Sequence, residues 1–392
     1  MRILWISSIA WKNESGYEYS VNGPGAISGS VFQQSLIEGL EELGVNVDII
    51  ADYPYSNMKF AKSKLFSHSE NSKDIIIESC GIPYLSLPIK SYFVRKAVKK
   101  AIKRRNYDYV IAYLVHSPFL EGIKFAKKIE GGIKSILICP DLPDMMDMSL
   151  QNKRIKSFLK QFDYRKINRL YNFVDGFVFF SELMQEKISP NGKPWTVIEG
   201  VATVDSLDLT EHEKTKAMMY AGTLHRNIGI ENIIKSLKYL PEDLEFWLFG
   251  DGELKEDIIA LSHKDKRIKF FGFMPREEVF EYEKRATVLV NARNPKDSYT
   301  RYSFPSKTFE YLYSGTPFVT TKLAGIPQEY NDYFYLISDN NPKTIADKVL
   351  EVLNTDKSVL KDITQKAQEF IKTKGYKNQA EKFYRFIEKN DN

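Results

Sequence analysis

Ala217-Met218-Met219-Tyr220-Ala221-Gly222 is a short apolar run ending on a glycine, and it restarts a pattern the chain has already used once. Upstream, residues 2–7 read as a buried first strand. A glycine-rich stretch follows, Asn22-Gly23-Pro24-Gly25-Ala26-Ile27-Ser28-Gly29-Ser30, which reads as a loop opening a helix. Val31, Leu36, Ile37, Leu40 and Leu43 then recur at helical spacing, and Gly44 ends the helix. Residues 45–51 form the next short β-branched run. Strand candidates continue at 109–115, 135–139, 176–180 and 196–198. The second series runs from 217 through 244–249, 268–271, 287–290 and 318–320, again with helical patterns between. Two successive series predict two doubly wound, Rossmann-like α/β domains. Residues 201–216, polar and acidic, read as the joint.

Composition narrows the class. The 392 residues are 43% hydrophobic and 27% charged, which excludes a disordered or collagen-like chain. No stretch approaches the roughly 18–20 consecutive apolar residues of a membrane span, and the start fails as a signal peptide. Two cysteines, Cys80 and Cys139, are too few for a disulfide framework or a four-ligand zinc site, so a reducing cytoplasm is expected. No Asp-x-Asp pair and no His/Cys/Glu cluster has metal spacing, so no metal and no resident cofactor is expected. The net charge of +5 is uneven: residues 1–200 carry +6 and residues 201–392 carry −1.

The richest stretch is Arg301-Tyr302-Ser303-Phe304-Pro305-Ser306-Lys307-Thr308-Phe309-Glu310-Tyr311-Leu312-Tyr313-Ser314-Gly315-Thr316-Pro317-Phe318-Val319. It reads as a loop, a helix opening near Ser306, and a turn into a strand. A helix N-terminus beside Lys307 is a ready anion site, and Glu310 lies one turn further on the same face. A carboxylate there suits a ribose diol. The plainer alternative is a capped helix with a solvent-facing Lys–Glu pair.

These residues resemble the signature of the GT-B retaining glycosyltransferases of family 4, in which E-G-F-G-L-P leads to L-L-E-A-M-A-x-G-T-P-V-V. Phe304, Glu310, Gly315, Thr316, Pro317 and Val319 align without gaps, and the Phe-Pro-Ser-Lys loop is similar to that of bacterial surface-polysaccharide transferases. The resemblance implies two domains facing across a cleft, residues 1–200 binding acceptor and residues 201–375 binding a nucleotide-sugar donor. It also implies a last helix, 376–392, that returns to the first domain. Glu310 inherits the ribose. The glutamate that contacts the donor sugar in the family is Tyr302 here, which leaves the Ser303 and Phe304 N–H groups, with Ser306, as donor contacts.

Residues 220–230 resemble the family's G-R-L-x-x-x-K-G, whose arginine and lysine neutralise the leaving diphosphate. Thr223 and Ile228 stand at those positions, so Arg226 and Lys307 are the expected substitutes, with Gly222 for close backbone approach. Gly250-Asp251-Gly252 and Phe273-Met274-Pro275 match segments that lie near the base; a plain turn and core packing are their alternatives. In the first domain the resemblance brings Gly25, Gly29 and Ser30 toward donor phosphate and acceptor, and Asp141 toward the sugar. His116 ranks below these as a cleft residue, and Glu199-Gly200 replaces the family's Asn-Gly.

The basic surplus concentrates in residues 90–105, with eight basic residues and no acid, and 153–170, with seven and one. Both are amphipathic, so they read either as anionic membrane contacts or as helices with a solvated face; no nucleic-acid fold accompanies them. The expectation is a metal-independent transferase. It moves a sugar, with retention, to a hydroxyl of a lipid-linked bacterial glycan, at the inner face of the plasma membrane. A nucleotide-sugar epimerase and a non-catalytic membrane-bound relative remain as alternatives.

Overall fold

The computed structural model describes residues 1–9, 24–53, 64–66, 71–78, 86–142, 154–188, 192–204, 207–210 and 212–389. The chain divides into two compact units, Met1–Val201 with Tyr376–Asn392, and Ala202–Gly375. Asn22, Gly23, Cys80, Pro143, Asp144 and Lys153 lie outside the described residues.

The first unit runs β1 (Arg2–Ser7), α1 (Pro24–Glu42), β2 (Asn46–Tyr53), β3 (Lys64–Phe66), β4 (Asp74–Glu78), α2 (Ser86–Ile102), β5 (Tyr109–Tyr113), α3 (Ser117–Ile129), β6 (Lys134–Cys139), α4 (Arg154–Leu170), β7 (Gly176–Phe179), α5 (Gln185–Ile188) and β8 (Trp195–Val197). Its sheet order is β3-β4-β2-β1-β5-β6-β7-β8, parallel except for the short antiparallel β3. One face carries Ile3, Trp5, Val47, Ile49 and Ile111, packed against Phe32, Leu36, Ile37 and Leu40 of α1. The alternate residues Leu4 and Ile6 are buried too, so both faces are covered. Gly122 of α3 has Val94 of α2 and Ile6 of β1 within 3 Å of where a Cβ would sit, which is why that helix can lie so close.

The second unit runs β9 (Thr215–Ala221), α6 (Ile230–Ser236), β10 (Glu245–Phe249), α7 (Lys255–Lys264), β11 (Ile268–Gly272), α8 (Arg276–Arg285), β12 (Ala286–Asn291), α9 (Lys307–Tyr313), β13 (Phe318–Thr321), β14 (Tyr335–Ile337), α10 (Pro342–Asn354) and α11 (Lys357–Lys372). The all-parallel order is β11-β10-β9-β12-β13-β14. Strand residues alternate between two cores. Met218, Tyr220, Phe246, Leu248, Val288 and Val290 meet Ile230, Ile233, Ile345 and Val349, while Met219, Trp247, Phe249 and Leu289 meet Val279, Phe280, Leu312 and Ile371. This is the doubly wound α/β pattern.

After the second unit, α12 (Tyr376–Lys389) returns to α1: Phe383 and Ile387 join the first core, and Ala380 packs against Gly39. Among the described residues no helix is long and apolar enough to cross a membrane.

The expected glycine-rich loop is corrected. Gly25, Gly29 and Ser30 lie in the first turns of α1, which begins at Pro24, a residue whose fixed φ and missing N–H suit a first helical position. At Gly29 a Cβ would sit 3.3 Å from the Tyr113 hydroxyl, and the Gly29 carbonyl accepts from Gln33. Its smallness thus serves helix-on-sheet packing.

The basic segments are also sorted by the structure. Lys90 is paired with buried Asp52 at 2.5 Å, and Arg105 donates to buried Asp48 at 3.1 Å and to the Asn71 carbonyl. Both are tied inward, unlike Arg95, Lys96, Lys99, Lys100, Lys103 and Arg104, which are exposed. Tyr92, 55% exposed, shares the outer face of α2, and Phe162, 66% exposed, stands out from α4.

Candidate functional site

In the second sheet the chain winds one way from β9 through β10 to β11 and the other way from β12 through β13 to β14. The strands β9 and β12 are neighbours that lead away from each other, and loops leaving their carboxyl ends diverge there. Those loops hold residues 222–229 and 292–306. They touch: Tyr299 Oη donates to the Asn227 carbonyl at 2.7 Å, and a Cβ on Gly229 would meet the Ala292 carbonyl at 2.1 Å. Gly229 has φ +88°, so no other residue fits there.

The loop after β9 is knitted to the one after β10. Leu224 N donates to the Asp251 carbonyl and Leu254 N to the Leu224 carbonyl, and a Cβ on Gly250 would fall 1.8 Å from the Gly222 carbonyl. The Gly-Asp-Gly tripeptide is therefore a turn held by close backbone packing. Beyond β11, Phe273 projects 67% exposed, so core packing is overturned for that residue; Met274 is part of the core beneath it.

Four charged side chains alternate in sign beside these loops. Arg276 and Glu283 come from α8, seven residues and two turns apart, and Lys307 and Glu310 from α9, one turn apart. Arg276 Nε donates to Glu310 Oε1 at 2.9 Å, and its Nη2 to the Thr203 carbonyl at 2.7 Å. Lys307 Nζ donates to Glu310 Oε2 and, at 3.2 Å, to Glu283 Oε1. Glu283 is wholly buried and its Oε2 has no partner.

Burial opposes charge at Glu283, Glu310 and Lys307, and the neighbours decide the outcome. Burial pushes the Glu283 carboxyl up to about 7, against the pull of Lys307, with Glu310 adding to the rise. Burial also raises Glu310, but Lys307 and Arg276 outweigh it and hold the carboxyl below its ordinary value. At Lys307 burial works against the ammonium, yet Glu283 and Glu310 together raise its pKa. The Lys–Glu pair is thus recessed, which excludes the solvent-facing alternative.

The other expected residues divide. Ser303 and Phe304 lie on the loop into α9; the Ser303 Oγ is buried without a partner, and the Phe304 ring packs on Phe309 and Tyr330 at 5.1 and 5.2 Å. Tyr302 is buried, and Ser306 is exposed at the helix start with no side-chain cap. With only two turns in α9, charge on an incoming anion must be met chiefly by side chains. Arg226 is exposed and bonded to Glu231 at 2.8 Å and Asp257 at 3.0 Å, apart from the Lys307 chain. Thr223 is exposed and Ile228 buried, the latter in the core with Leu224 and Ile230. Sequence reasoning missed Arg276 and Glu283, whose link to α9 is tertiary.

In the first unit, β1 and β5 are the corresponding neighbours. Asp141 follows β6 and is exposed, and its charge adds to the burial that raises the Tyr113 hydroxyl's pKa. His116 is half-buried at the start of α3, edge-on to Phe119, and desolvation with nearby Lys90 and Lys166 pushes it down to about 3. Glu199 is buried. Among the described residues no group of three or more His, Cys, Asp or Glu side chains is placed to hold a metal ion.

Comparison with solved structures gives whole-chain matches at low identity. Sucrose-phosphate synthase from Thermosynechococcus elongatus is 14% identical with a TM-score of 0.69, each chain covered over 99%. The lipopolysaccharide outer core galactosyltransferase WaaB is 16% identical with a TM-score of 0.64, again over 99% of each chain. The HepE protein of Anabaena, in complex with UDP, is 14% identical with a TM-score of 0.66, over 99% of this chain and 100% of that one. No curated protein matches the chain in sequence. Residues 215–355, which hold the whole Arg276–Glu310–Lys307–Glu283 chain, match the family model of glycosyl transferases group 1.

Proposed function

We propose that the protein is a retaining, metal-independent glycosyltransferase of family 4, moving a sugar from a nucleotide donor to a hydroxyl of a lipid-linked bacterial glycan. The observation that carries this reading is the recessed Lys307–Glu310 pair beside the β9/β12 divergence, within the segment matched by glycosyl transferases group 1. A nucleoside diphosphate needs a carboxylate for its ribose, cations for its phosphates and an apolar surface for its base. Glu310, steadied by Arg276, takes the ribose. Lys307 faces the diphosphate, using a third N–H beyond the two given to Glu283 and Glu310. Exposed Phe273, at the start of the segment that ends on Arg276, offers the base a stacking face. Ser303, Ser306 and the Phe304 N–H line the donor from the α9 side, and Gly222 allows close backbone approach. Arg226 reaches the diphosphate only by leaving Glu231 and Asp257.

In the transfer the sugar C1–O bond to the β-phosphate breaks and its electron pair stays on the phosphate oxygen. The acceptor oxygen bonds to C1, and its proton passes to that phosphate oxygen. Residues of the first unit, Gly25, Gly29, Ser30 and Asp141, serve the sugar and acceptor. The UDP bound by HepE and the lipopolysaccharide core named for WaaB are consistent with this chemistry. The exposed cations of α2, Arg95, Lys96, Lys99 and Lys100, with Lys103 and Arg104 just past its end, suit an anionic leaflet, each contributing about 1 kcal/mol.

Thermal stabilisation by a panel of nucleotide sugars tests the donor, followed by product NMR for the anomeric configuration. Stabilisation by one of them and a retained anomer support the reading. Isomer formation without acceptor points to an epimerase, and no response with unchanged cellular glycan in Lys307→Ala points to a non-catalytic protein. Liposome binding that ignores both lipid charge and neutralisation of Lys96, Lys99, Lys100 and Arg104 would sink the membrane contact.

A further inference from the structure

The leaving diphosphate lacks the cations that the resemblance places on the loop after β9, where Thr223 and Ile228 stand. The first residues past β12 supply another. From the point where a Cβ on Gly229 would sit, the Ala292 carbonyl is 2.1 Å away and Arg293 Cα 3.7 Å. Tyr299, further along the same loop, bonds the Asn227 carbonyl. Arg293 therefore stands at the junction of the two loops that leave the β9/β12 divergence.

Its side chain is half-buried, and its Nε is buried with no hydrogen-bond partner. The cations already considered are all engaged: Arg226 with Glu231 and Asp257, Arg276 with Glu310, and Lys307 with Glu310 and Glu283. Among the described residues no carboxylate pairs with Arg293. A buried donor left without a partner costs free energy, and such groups are found satisfied except where something else is bound. Position supports the same conclusion. The Tyr220 hydroxyl, which donates to the Thr223 carbonyl beneath Gly222, feels the positive charge of both Arg293 and Lys307. Both cations therefore lie near the Tyr220 hydroxyl, at the loop where donor phosphates would lie.

We propose that Arg293 is a catalytic residue of the transfer, holding the donor diphosphate opposite Lys307 at the β9/β12 divergence. The inference rests on the nucleotide-sugar reading and names the group that meets the leaving charge. As the C1–O bond breaks, its electron pair adds one unit of negative charge to the phosphate, while the acceptor's proton moves to that oxygen. A guanidinium presents Nε–H and Nη–H side by side, matching two phosphate oxygens, and an ammonium cannot reproduce that fork.

The test uses whichever of UDP, GDP, ADP, CDP or dTDP raises the melting temperature of the wild-type chain, with its monophosphate as comparison. Both are titrated into wild type, Arg293→Met and Arg293→Lys by calorimetry. Diphosphate affinity falls roughly 10- to 100-fold in Arg293→Met and less in Arg293→Lys. Monophosphate affinity changes less than about threefold, because a contact to the second phosphate cannot move it. Equal losses for the two nucleotides mean a structural role and overturn the assignment, as does diphosphate binding that survives Arg293→Met. If none of the five diphosphates binds the folded wild-type chain, the donor reading itself falls and Arg293 falls with it.

Discussion

Each parallel sheet reverses its winding once, between β1 and β5 in the first unit and between β9 and β12 in the second, and the two places are furnished differently. At the end of β5, Leu114 holds φ +84°, a left-handed backbone that costs a non-glycine residue roughly 1–2 kcal/mol. His116 here is kept uncharged by desolvation, and the Ser7 and Ser117 hydroxyls are buried without partners; the charge near this end is that of Asp141, felt by Tyr113. Lys90, near His116, is closed onto Asp52. At the second place four ionisable side chains are strung in alternating sign, with Arg293 alongside. Under the proposed function a charged donor and a neutral hydroxyl acceptor would make different demands, and these two sheet ends differ in the same sense.

The largest expected effect breaks that contrast by removing its charge. Lys307→Met lowers the transfer rate roughly 10²–10³-fold, as expected for losing one preorganised donor to developing negative charge. It also strands Glu283 and leaves Glu310 with Arg276 alone, so the variant is compared with Lys307→Met/Glu283→Gln to separate folding from catalysis. A rate within a factor of about three of wild type, in a folded variant, would remove Lys307 from the chemistry.

At the first sheet end the test is acid. His116 has a folded pKa near 3, well below its ordinary 6.5. A histidine with a depressed folded pKa contributes stability above 6.5 that is lost as pH falls toward 3. Between pH 7 and 5 the loss is about 2 kcal/mol. Denaturant unfolding of wild type and His116→Asn across that range reads it as the difference between the two curves, the wild type losing about 2 kcal/mol relative to the variant. Parallel curves would mean that folded His116 takes up its proton as readily as the unfolded chain does, with no depressed pKa.

What the sequence made legible follows the range of the interaction. The longer strands and helices were readable because their apolar residues recur at period 2 or 3.6 over many positions. The edge strands β3, β8 and β14 have three residues each, too few for any period, and of these only β8 reads as a strand in the sequence. The start of α1 looked like a loop because Gly25 and Gly29 suggest one, and only the contact of Gly29 with Tyr113 explains glycine inside a helix. Lys307 and Glu310 were readable because i,i+3 spacing is local. Arg276 and Glu283 reach them from another helix, so no spacing in the chain announces the link. Arg293 gave less signal still, a single cation after an apolar run. Arg226 was found by position, while its bonds to Glu231 and Asp257 belong to the folded loop.

The smallest expected effect sharpens the contrast by reversing its sign. Glu283 is wholly buried, accepts from Lys307 through Oε1, and has nothing against Oε2. Its folded pKa, about 7, lies above the ordinary 4.5 because burial dominates Lys307. A carboxyl raised in this way contributes stability that is complete below 4.5 and lost as pH rises through 7. The Glu283 contribution therefore rises by roughly 1 kcal/mol on going from pH 7 to pH 6, while the His116 contribution moves the other way. Glu283→Gln, unable to take up that proton, removes the gain and leaves the acid loss from His116 in place. Measured in the His116→Asn background, the Glu283 gain stands alone. If Glu283→Gln keeps it there, the proton binds elsewhere, and Glu283 stays ionised beside Lys307 throughout.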